Sequence, residues 1–249
     1  MSTSAYESIG AVPDIDRVGK LMEGSRFLAP VHRSVAVYRR LLAHYGPQHW
    51  WPAETAFEAI VGALLMQQTS WGNVEVAIKN LKRARLLKVR ALAEAPVPVI
   101  RRQVRIAGLY RTKPARVQAF CRHLLDRSSG DLSRYFARPT GVVRADLLAQ
   151  DGVGPETADS ILLYAGGHPV FVVDAYTERI GGRIGLFRTG EYRTIQQYFE
   201  QRVPRDLATY QEYHALLVRH AKTLCRRTNP ACAGCPVQSL CDFGRRRKR

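Results

Sequence analysis

The chain has 249 residues, 46% of them hydrophobic, enough for one large or two modest domains with a real core. No apolar run reaches the length of a membrane span, and the start "MSTSAYESIGAVPDID" lacks the basic-then-apolar pattern of a secretion signal, so a soluble cytoplasmic protein is expected, with no membrane partner. Lys plus Arg number 38 against 21 for Asp plus Glu, a net +17 that predicts a polyanionic partner; nucleic acid is favoured over an acidic membrane, because no long basic amphipathic helix with a Trp/Leu face stands out.

Residues 1–27 are weakly patterned and read as a flexible extension. From "VHRSVAVYRRLLAHYG" onward apolar residues recur at three and four, the period of a helix. "FEAIVGALLMQQTS" predicts a mostly buried helix, and "NVEVAIKNLKRA" an amphipathic one capped by Ser70 or Asn73. "GLYRTKPARVQAFCRHLLDRSSG" predicts a turn, a helix with Pro114 in its first turn, and a stop at Gly130. Cys121 falls on the apolar side of that helix and reads as a small core residue. "HPVFVVDAY" is apolar and β-branched, yet short and flanked by helices. "EYRTIQQYFEQRV" and "ATYQEYHALLVRHAKTLC" are further helices, so the fold class is all-α. The last residues, "GRRRKR", read as a solvated, phosphate-seeking tail.

Between the last helix and the tail lie Cys225, Cys232, Cys235 and Cys241, spaced C-x6-C-x2-C-x5-C. Four thiols so close together, without a signal peptide, argue for a metal centre over disulfides. Zinc is the ordinary alternative, but zinc sites pair short knuckles across a longer gap. The asymmetric spacing resembles that of the [4Fe-4S] cluster in endonuclease III-like DNA glycosylases, whose clusters take four cysteines. The resemblance implies a structural cluster that pins the loop carrying Arg226 and Arg227 toward a phosphate backbone.

Other segments carry the same resemblance. "LLAQDGVGPETADSILLYA" is similar to the family's helix-hairpin-helix, L-P-G-V-G-x-x-T-A. Gly152, Val153 and Gly154 would turn the backbone sharply and offer N–H groups to a phosphate at the start of the next helix. "VVDAYTERIGGRIGL" resembles the segment with the catalytic carboxylate, which implies that Asp174 stabilises positive charge on the sugar and orients water; the same residue is suited to cap a helix. "GALLMQQTSWGNVEVA" resembles the helix bearing L-x-x-Q-x-T, implying that Gln67 fills the duplex where a base has left it. The match spans roughly 30–243 and implies two domains: a helical barrel over 49–168 with the hairpin, and an iron–sulfur domain from 28–48 and 169–249.

One departure selects among activities. Members that cut the strand have a lysine nucleophile two residues after the second hairpin glycine; here that residue is Glu156, which cannot form a Schiff base. Lys113 and Lys222 could substitute, but read as surface charge or phosphate contacts. Glu156 with the "WWP" at Trp50 and Trp51 resembles the branch that contains 3-methyladenine DNA glycosylases. Trp50, Trp51 and Trp71, with Tyr176 at the border, would then form a π-rich pocket for a cationic, extruded base. A monomer acting on damaged double-stranded DNA in the nucleoid is expected. The rival expectations are a glycosylase/AP lyase for oxidised pyrimidines, a DNA-binding paralogue without catalysis, and a zinc-containing DNA-binding module.

Overall fold

The structure, a computed structural model, describes residues 32–48, 50, 52–188 and 190–246. The expected extension over 1–27, Trp51 and the last three residues of the tail lie outside them. Every regular element among the described residues is helical. The chain divides into two compact units: Trp51–His168, and Met1–Trp50 together with Pro169–Arg249.

In the first unit, α2 (Ala56–Leu65) follows a Thr55 cap that accepts from the Glu58 amide, and it is buried along its whole length. It packs against α3 (Trp71–Arg83) and against α9 (Pro155–Tyr164). Ser70 caps α3, as its spacing predicts. Helix α6 (Lys113–Ser128) starts with Pro114 in its first turn and ends in left-handed backbone at Ser129 and Gly130. It packs on α4 (Val89–Glu94), and Ile60, Leu65, Leu81, Leu92 and Phe120 form the core between these helices. Each such fully buried side chain contributes roughly 1.5–3 kcal/mol from area removed from water. Cys121 is part of this core, and burial pushes its thiol up to about 12.

In the second unit, α1 (Arg33–Tyr45) packs on α12 (Leu207–Thr223). The "VFVV" stretch, Val170–Val173, is buried but forms neither helix nor sheet. Its backbone partners come from side chains: Glu200 accepts from the Phe171 amide at 3.2 Å, and the Gln196 amide donates to the Phe171 carbonyl at 2.9 Å. Phe171 stacks on Phe199 with centroids 4.2 Å apart and meets Tyr210 and Tyr213 edge-on. Strand-like composition is thus spent on an apolar cord through a helical core. The cord fixes the entry to α10 (Ala175–Ile184), where Asp174 stands.

Candidate functional site

Asp174 is the N-cap of α10. Its Oδ1 accepts from the Thr177 amide at 2.7 Å, and its Oδ2 lies 3.5 Å from Nε2 of the buried His214 on α12. Burial of the carboxyl pushes its pKa up, but the hydrogen bond and charge of His214 and the Thr177 amide outweigh that and hold it below its ordinary 3.8. The group is therefore a carboxylate at neutral pH, kept in one rotamer by the helix start and aimed by a histidine 40 residues downstream. Sequence reading missed His214; a single His within an apolar helix carries no local signal. Tyr176, two residues past Asp174, is half-buried beneath the Arg179 guanidinium, 5.2 Å from its ring centre.

The hairpin lies in the other unit. Gly152 has φ of +75°, a conformation that favours glycine, and an added Cβ would also displace the end of the Arg116 side chain, 2.6 Å away. Val153 is buried and anchors the turn. Gly154 caps α9 without a side-chain cap bond, and Pro155 takes its first position, a helix start of the kind that can receive an anion. Glu156, in the first turn of α9, is exposed and complements the positive helix end.

Gln67 joins this hairpin. Its Nε2 donates to the Gly152 carbonyl at 2.6 Å and to Thr157 Oγ1 at 3.3 Å. Its amide is thereby engaged in holding the turn, while the next residue, Gln68, stands exposed on left-handed backbone with φ of +53°. In this arrangement Gln68, not Gln67, has its side chain outward.

Lys113 corrects an expectation. It is neither a surface charge nor a phosphate contact: it is 1% exposed, and its Nζ donates to the carbonyls of Leu65 (2.8 Å), Gln67 (2.6 Å) and Ala107 (2.7 Å). All three donors of the ammonium are used. Burial lowers its pKa to about 8. Lys222, the other lysine considered, is exposed, with its Nζ 5.5 Å from the Trp50 ring centre.

Of the tryptophans, Trp51 lies outside the described residues. Trp50 is half-buried in the same unit as Asp174, and Trp71, half-buried, belongs to the unit of the hairpin. Trp71 borders a cavity of about 250 Å³ whose walls include Pro52, Glu58, Glu75 and Lys82. Lys79 also lines it, and Lys82 pairs with Glu54 at 2.9 Å and Glu58 at 2.8 Å, so most of the wall's negative charge is already met.

The four terminal cysteines are half-buried, unbridged, and line one cavity floored by Ile180, Ile184 and Val237. N–H groups already point at their sulfurs. The Gly244 amide and the Arg183 guanidinium lie 3.3 Å from Cys241 and Cys225 Sγ respectively. Burial raises the pKa of Cys235 and Cys241, so thiolates there require a cationic centre to offset the desolvation. Among the described residues no three His, Cys, Asp or Glu side chains converge as they would around a single ion. In donor type, four thiols around one cavity, the residues present fit an iron–sulfur cluster. Arg183 also donates to the carbonyls of Arg226 (2.7 Å) and Arg227 (2.9 Å), which leaves both side chains exposed.

A family model, the HhH-GPD superfamily of base excision DNA repair proteins, matches residues 61–205. A protein of Methanocaldococcus jannaschii named as a candidate DNA repair glycosylase is 42% identical over 208 residues, covering 82% of this chain and 94% of that protein. Among solved structures, an H. pylori 3-methyladenine DNA glycosylase bound to 1,N6-ethenoadenine aligns with a TM-score of 0.69 and 27% identity over 76% of this chain and 97% of its own. A trapped endonuclease III–DNA covalent intermediate has the same fold, with a TM-score of 0.75 at 22% identity over 88% and 99%.

Proposed function

We propose, from the premise that the chain belongs to the HhH-GPD superfamily of base excision DNA repair proteins, that it is a monofunctional DNA glycosylase for alkylated purines such as 3-methyladenine. The observation that carries this reading is the pairing of an ionised, helix-capping Asp174 with an exposed carboxylate, Glu156, two residues past Gly154. Lys113 supports it further, because an ammonium with all three N–H groups bound to buried carbonyls is withheld from covalent chemistry.

In this mechanism the hairpin amides, Arg226 and Arg227 hold the phosphate backbone, and the damaged nucleotide leaves the stack. Trp50 and Tyr176, in the unit of Asp174, are the aromatic groups offered to a base whose positive charge makes it a ready leaving group. Asp174 stabilises the oxocarbenium character that develops on the deoxyribose and accepts the proton of the attacking water. The products are free base and an intact strand with an abasic site. The four cysteines would hold a [4Fe-4S] cluster, which when bound would tie the segment Cys232–Cys241 to Cys225, just past the end of α12. Resemblance to the H. pylori 3-methyladenine glycosylase supports the choice of lesion.

Borohydride reduction on abasic duplex DNA tests the lyase question. No protein–DNA adduct is expected. An adduct lost on Lys222→Ala would assign the lysine beside Trp50 as a nucleophile and make the chain a glycosylase/AP lyase.

A further inference from the structure

We infer that Lys113 is a positioning residue for DNA engagement: its buried ammonium pins the turn at 66–68 to the turn at 107–110, so that the two act as one rigid edge against the duplex. The inference rests on the DNA glycosylase reading above.

The three acceptors come from two separate segments. Leu65 and Gln67 lie at the C-terminal end of α2, where free carbonyls and the helix dipole favour a cation. Ala107 closes the short 3-10 turn Arg105–Ala107. A buried lysine is costly to desolvate, and an apolar side chain would fill the same space without that cost. What the ammonium adds is a directional bond to both segments at once.

Both segments store strain just past the pin. Gln68 has φ of +53° and Leu109 has φ of +46°, conformations that cost a non-glycine residue about 1–2 kcal/mol. Such strain persists only where the surroundings over-determine it. The two turns also abut: a Cβ on Gly108 would sit 4.0 Å from the Gln68 carbonyl.

The pinned edge is apolar and exposed. Ile106, Leu109 and Tyr110 are 47%, 40% and 41% exposed, three of the five large hydrophobics left exposed among the described residues. Exposed Arg105 and Arg111 flank them. Apolar tips between arginines fit a duplex whose phosphates lie at the rim and whose opened base stack lies between. Gln67, bonded to the Gly152 carbonyl, links the edge to the hairpin that grips the backbone.

The test compares two duplexes of one sequence, one intact and one with a tetrahydrofuran abasic analogue at a single position. Fluorescence anisotropy with wild type and Lys113→Met gives both affinities. Loss of the pin is expected to cut the preference for the abasic duplex by about tenfold or more, while affinity for the intact duplex, set by dispersed phosphate contacts, changes by less than about threefold. An unchanged preference, or equal loss of both affinities, would overturn the inference and leave Lys113 a core residue. Lys113→Gln, which keeps two donors, carries the same comparison where Met prevents folding. Wild type without any preference would contradict the glycosylase reading and remove the premise for the pin.

Discussion

Asp174→Asn is expected to reduce base release by about a thousandfold, the scale for loss of a group that stabilises transition-state charge and manages a proton, while leaving affinity for intact duplex DNA unchanged. Asparagine keeps the size of the side chain and an oxygen for the Thr177 amide, so α10 retains its cap. What is lost is negative charge. The wild-type carboxyl lies below 3.8, so at neutral pH the comparison is between a full charge and none. Its ionised form is stabilised in the fold; that contribution is present at neutral pH and is lost only as pH falls through the depressed value. Single-turnover excision and equilibrium binding on the same preparations separate the two effects. Parallel losses in rate and affinity would assign Asp174 to the architecture of α10 instead.

Cys235→Ser carries the second large effect. Serine oxygen is a poor ligand for iron where thiolate is a good one. The wild-type protein is expected to be brown with about four irons per chain, and the variant to lose the colour, most of its iron, and the ordered segment between Cys225 and Cys241. Because ligands in a metal site fold with their metal, thermal unfolding shifts downward as well. Arg226 and Arg227 then lose one of two anchors, their carbonyls remaining tied only to Arg183. A colourless wild type with one zinc per chain would replace the cluster by a zinc knuckle.

Much of the fold is legible residue by residue. Ser70, Pro114 and Gly130 mark helix ends through local chemistry alone, and the structure puts each of them there. The apolar stretch before Asp174 is harder. Val170–Val173 has strand composition, yet the partners of Phe171 are Glu200 and Gln196, side chains 29 and 25 residues on, and among the described residues no strand completes a ladder.

The site is legible where a local motif carries it and opaque where tertiary partners do. The role of Asp174 as a cap is written in its neighbours; His214, which faces it from another helix, is not. Lys113 reads as a surface lysine because Leu65 and Gln67, 48 and 46 residues earlier, supply the carbonyls that bury it. Which of Gln67 and Gln68 points outward depends on one left-handed residue in a turn, a choice that the dipeptide alone does not encode.

Purified protein incubated with methylated duplex DNA tests the central claim most directly, with free bases and strand breaks scored in the same reaction. Free 3-methyladenine, with breaks only after added alkali, is the result that a water-using glycosylase with Glu156 at the lysine position must give. Strand breaks without alkali, or DNA bound with no base released, would contradict it.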